Sequence, residues 1–96
     1  MDMTIARTIL SQLGGNKFLV MTGAKSLTVH ENGLSMRIPS KTANYLKITL
    51  EPNDTYTMEF KKIWGMKVKD VNKHTDVYCD MLQSIFTEET GFDTNL

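Results

Sequence analysis

YLKITLEPNDTYTMEFK (45–61) is two alternating runs around a turn, and its reading decides the fold. Leu46, Ile48 and Leu50 alternate with Tyr45, Lys47 and Thr49; after the turn, Tyr56, Met58 and Phe60 alternate with Thr57, Glu59 and Lys61. A period of two sends each set to its own face of a sheet. Pro52 presets φ for the turn, and Asn53 and Asp54 tolerate turn conformations. A three-residue loop at 52–54 pairs Leu50 with Tyr56, Ile48 with Met58 and Leu46 with Phe60, all on one face. The other face then pairs Thr49 with Thr57 and Lys47 with Glu59, an opposite-charge rung. A two-residue loop would set Leu50 against Thr57 and mix the faces, so the pattern selects the register.

A second hairpin precedes it. Leu27 and Val29 alternate with Ser26, Thr28 and His30, and Leu34, Met36 and Ile38 alternate with Ser35 and Arg37. Asn32-Gly33 between them is a strong signal for a two-residue turn, since both central residues of a type I′ turn need positive φ. That loop pairs Val29 with Met36 and Leu27 with Ile38. Before the hairpin, NKFLVM (16–21) is a short apolar run of strand-forming residues, closed by a turn at 22–25. After the central hairpin, 39–44 is a polar connector, and Val68 between Lys67 and Lys69 marks a further short strand at a lysine-protected edge.

Helices are expected at both ends. Ile5, Ala6, Ile9, Leu10 and Leu13 recur at three- and four-residue spacing over 3–13, with Asp2 as N-cap and Gly14 as terminator. Tyr78, Met81, Leu82, Ile85 and Phe86 form a stripe over 76–90, with Thr75 as N-cap, Gly91 as C′ residue and Phe92 folding back on Phe86. The expected fold is a single α+β domain over residues 1–96. One antiparallel sheet of about five strands carries the N- and C-terminal helices on one face. Its core is predicted at Ile9, Leu10, Val29, Met36, Ile48, Met58, Phe60, Met81 and Ile85, and its opposite face is polar and wet.

Ninety-six residues with 41% apolar and 23% charged content make one globular domain. Eleven basic residues balance eleven acidic ones, unlike a strongly basic nucleic-acid binder. The single cysteine, Cys79, excludes an internal disulfide and fits a reducing compartment. Neither a secretory leader pattern nor a run of membrane-spanning length is visible, so a cytoplasmic location is expected.

No residue set carries a reaction. His30 and His74 are distant in sequence and beside turns, and Cys79 does not complete a metal-ligand set; both imidazoles are expected to be exposed. Cys79 with His74 lacks anything resembling an oxyanion hole. Gly14, Gly15 and Gly23 lack the strand–loop–helix context and lysine of a phosphate loop. The expectation is a protein that is not an enzyme, with no cofactor and no metal.

The charge distribution is the informative feature. Residues 61–73 hold Lys61, Lys62, Lys67, Lys69 and Lys73 against one acid, Asp70, with Trp64 available to stack. Residues 76–96 hold Asp76, Asp80, Glu88, Glu89 and Asp93 and no basic residue. The acidic set would attract a basic protein partner; the lysines with Trp64 would contact nucleic acid. A third reading has the two stretches neutralise each other or serve only solubility. Protein binding ranks first, because the tail would repel nucleic acid and Asp70 with Glu59 offsets the lysines.

GGNKFLVMTGAK (14–25), ITLEPNDTY (48–56) and FTEETG (86–91) resemble segments of small proteins encoded by bacteriophages and prophages. The resemblance spans most of the chain and carries no catalytic signature. It implies context alone, a phage-borne accessory protein in a host cytoplasm; by analogy with other small phage proteins, it is expected to bind a host or phage protein, in the manner of an inhibitor.

Overall fold

The computed structural model describes residues 4–40 and 43–91. The elements run α1 (Thr4–Leu13), α2 (Asn16–Thr22), β1 (Lys25–His30), β2 (Gly33–Arg37), β3 (Tyr45–Leu50), β4 (Tyr56–Trp64), β5 (Lys67–Val77), a 3₁₀ turn (Cys79–Met81) and α3 (Leu82–Thr90). The strands form one antiparallel sheet in the order β1-β2-β3-β4-β5. The α+β architecture therefore matches the sequence expectation.

The β3–β4 register is the one the alternation selects, with Leu46 opposite Phe60, Ile48 opposite Met58 and Leu50 opposite Tyr56. Asp54 sits at φ 65, and its N–H donates to the Glu51 carbonyl at 3.0 Å, closing the three-residue loop. Leu46, Ile48, Met58 and Phe60 are fully buried, with Leu34 and Met36 of β2 beside them. Ala6, Ile9 and Leu13 of α1, Phe18 of α2, and Leu82, Ile85 and Phe86 of α3 complete the same core. Phe18 meets Phe86 edge to face at a centroid distance of 4.9 Å. That geometry suits the ring quadrupoles.

The helix ends obey the expected chemistry. Gly15 N–H donates to the Leu10 carbonyl and Gly14 N–H to Ser11, the paired bonds of a Schellman closure, with Gly14 and Gly15 both at positive φ. Gly91 takes the left-handed conformation, and its N–H donates to Thr87. Gln83 of α3 donates to the Gln12 and Leu13 carbonyls, satisfying the open end of α1. The roles expected of Asp2 and Phe92 fall outside the described residues.

Several expectations need correction. NKFLVM is not a strand but most of helix α2. Phe18 and Thr22, four apart, face the core, Thr22 Oγ1 bonds the Phe18 carbonyl, and Gly23 ends the turn in the left-handed region. Packing overrides a weak local preference here. The first hairpin turns at Glu31-Asn32, so Val29 opposes Leu34 and not Met36. The slip is two positions, which keeps Val29 on the apolar face, while a register shift between Lys25 and Thr28 leaves Leu27 exposed rather than paired with Ile38. The last strand is long, Lys67–Val77, and takes in the stretch expected to begin the C-terminal helix. Helix α3 consequently starts at Leu82, and its phase leaves Tyr78 and Met81 exposed. Thr57 and Ser35 on the far face are buried rather than wet. Thr57 Oγ1 donates to Glu51 Oε1 at 2.9 Å, and Ser35 hydrogen-bonds His30 at 2.8 Å.

Candidate binding site: the β4–β5 arm

Strand β3 begins at Tyr45, opposite Lys61. From Lys62 outward, β4 and β5 continue as a two-stranded ribbon past the end of β3. Gly65-Met66 is its two-residue loop, with Gly65 at φ 61, the positive φ a type II′ turn places at its first central position. Residues 64–70 are all exposed; Trp64 is 46% and Met66 102% accessible.

The ribbon is anchored at its base by Asn44. Its Nδ2 donates to the Ile63 carbonyl and its Oδ1 accepts from Ile63 N–H, each at 2.7 Å. Its own N–H donates to the Lys61 carbonyl at 3.0 Å. The side-chain amide thus takes the place of one more residue of a neighbouring strand. Nothing in the 39–44 stretch beyond its polar character signals this role.

Register sorts the lysines by face. The rungs are Lys61–Asp70, Lys62–Lys69, Ile63–Val68 and Trp64–Lys67. Opposed residues share a face and successive rungs alternate. Lys61 therefore meets Asp70, with an N–O distance of 3.7 Å, on the far face of the sheet. Lys73 opposes Glu59 on that same face. Lys62, Trp64, Lys67 and Lys69 occupy the other face, and neither of their two rungs contains an acid. Of six candidates in 61–73, four are gathered on one surface and two are matched with carboxylates. A β-bulge that leaves Val71 as the extra residue between the Phe60–Asn72 and Lys61–Asp70 rungs sets this phase.

The acidic candidates are not gathered. Asp76 lies in β5 at φ 55, and Asp80 in the 3₁₀ turn beyond it. Glu88 and Glu89 lie at the opposite end of α3. Glu89 is 13% accessible and accepts from His74 Nε2 at 3.2 Å and Asn72 Nδ2 at 2.9 Å. It is a fold contact joining α3 to β5. Asp93 lies outside the described residues.

Both histidines are partly buried and bonded, His30 to Ser35 and His74 to Glu89, contrary to the expectation of exposed imidazoles. Cys79 is exposed. Among the described residues no group of three or more His, Cys, Asp or Glu side chains could hold a metal ion. No described helix is long and apolar enough to cross a membrane. A shallow depression lies between Glu51, Asn53, Thr57, Lys73 and Asp76. No protein-family model, curated protein or solved structure matches the chain.

Proposed function

We propose that this is a non-enzymatic accessory protein that binds nucleic acid through the cationic face of its β4–β5 arm. The observation that carries the reading is the segregation of Lys62, Lys67 and Lys69 with Trp64 on one face while Asp70 and Glu59 are matched with other lysines on the opposite face. Lys62 and Lys69 oppose each other across one rung and so present their charges to the same side. This reverses the ranking read from sequence, where Asp70 counted against the lysines and the acidic residues counted as one surface.

The test is anisotropy of labelled oligonucleotides at about 50 mM salt, where surface electrostatics remain strong. Lys67→Glu with Lys69→Glu should abolish binding, and Lys61→Gln, on the far face, should leave it within about twofold. Equal loss from both variants, or no binding by the parent protein, removes the reading.

A second reading keeps the same arm but a protein partner, whose function the phage-type accessory protein would block as an inhibitor. It is favoured by Met66, a fully exposed apolar side chain in the loop two residues from Trp64. Tryptophan and methionine are enriched in protein interfaces, whereas lysine is depleted. Capture of a partner from lysate that survives nuclease treatment and is lost on Met66→Asp would establish it over the first.

A further inference from the structure

We infer that the nucleic acid taken by the arm is single-stranded, with a base stacked on Trp64 and its flanking phosphates held by Lys67 and the Lys62–Lys69 rung. The inference rests on the nucleic-acid reading above and goes further by assigning each side chain a part. Trp64 is about half exposed and shares its rung with Lys67. Lys62 lies two residues behind it on the same strand, roughly 7 Å away at about 3.4 Å per residue. Lys69 lies across from Lys62 at about 5 Å between Cβ atoms. One indole and three ammonium groups thus occupy a patch of a few nucleotides. An indole face is of no use to a paired, stacked base but binds any unstacked one. The lysines supply point charges suited to phosphate and no planar fork for reading base edges. Selection should therefore be for strandedness and not for sequence.

Trp64 is the single tryptophan of the chain, so its fluorescence reports the contact directly. The unlabelled native protein is titrated with a thymidine oligonucleotide of roughly ten nucleotides, longer than the patch, and with a duplex of equal length. Expected results are quenching by the single strand and weaker binding of the duplex without quenching. With three phosphates neutralised, the salt slope is about −2 (0.7 per phosphate), or about a 20-fold loss from 50 to 200 mM. Trp64→Ala should weaken single-strand binding by between about 5- and 140-fold, and Trp64→Phe should retain most of it. Both changes lie on exposed ribbon, and circular dichroism checks that the fold is kept.

Equal affinity for both strand forms without quenching overturns the single-strand inference and leaves the nucleic-acid reading standing. Binding of neither form overturns both. Single-strand binding that Trp64→Ala leaves unchanged also overturns the stacking role.

Discussion

Gly33 has no room for a methyl group. An ideal Cβ there would lie 2.0 Å from the Ile48 carbonyl oxygen, a backbone atom in the neighbouring strand. The glycine that looks like a turn residue is therefore a close-approach residue of β2. Gly33→Ala should force β2 and β3 apart at a buried rung and cost about 1–3 kcal/mol, as overpacking does. Urea unfolding followed by circular dichroism measures it. Tyr56 supplies a pH dependence. Burial pushes its phenol above 10.0, the Cys79 charge adds to the rise, and a Gln12 hydrogen bond opposes it. The folded state then holds this proton more tightly than the unfolded state. Stability from the buried phenol is complete below about pH 10 and is lost as pH rises through the folded value. Tyr56→Phe should flatten the alkaline fall in urea midpoint, and an unchanged slope would exclude Tyr56 as its source. The turn role of Gly33 is a residue-scale misreading with a physical cause. Asn-Gly reports that positive φ is accessible, and only the packed neighbour shows that the glycine is needed for space instead.

Elements that carry their pattern in both strands are legible from sequence; those that depend on a distant partner are not. The β3–β4 hairpin has apolar alternation, an opposite-charge rung and turn residues that agree on one register. Helix α2 has seven residues and gains its conformation from Phe18 and Thr22 in the core, information absent from NKFLVM itself. Strand β5 hides for another reason. Its two register shifts break the alternation that identifies strands, and Asn72 and His74 hydrogen-bond Glu89 of α3, a partner distant in sequence. The six lysine-segment candidates were legible as residue types. Alternation along β4 separates Lys61 from Lys62 and Trp64, but only the bulge at Val71 separates Lys67 and Lys69 from Lys73. The arm also depends on Asn44, whose amide bonds Ile63 twice. Asn44→Ala removes both bonds and should cost about 1–3 kcal/mol, at roughly 0.5–1.5 for each. Hydrogen exchange should show the loss concentrated in residues 61–70, with the β2–β3 ladder unchanged. Uniform loss across the sheet would mean that the arm does not open separately.

At the scale of the whole molecule, zero net charge hides a spatial order that decides whether the acids oppose the arm. Asp76 is nine residues along β5 from Lys67, roughly 30 Å in extended strand. Asp80 lies farther along the chain, in the 3₁₀ turn. The Debye length is about 8 Å at physiological salt and about 30 Å at 0.01 M. Charges at that end are therefore screened from the arm in one condition and felt in the other. Asp76→Asn with Asp80→Asn should leave oligonucleotide affinity within about twofold at 0.15 M salt and raise it several-fold near 0.01 M. A gain of equal size in both conditions would place these carboxylates at the binding surface itself and return the acidic residues to the site. Indifference at both would mean that the bound strand senses only the lysines within a few ångströms of Trp64.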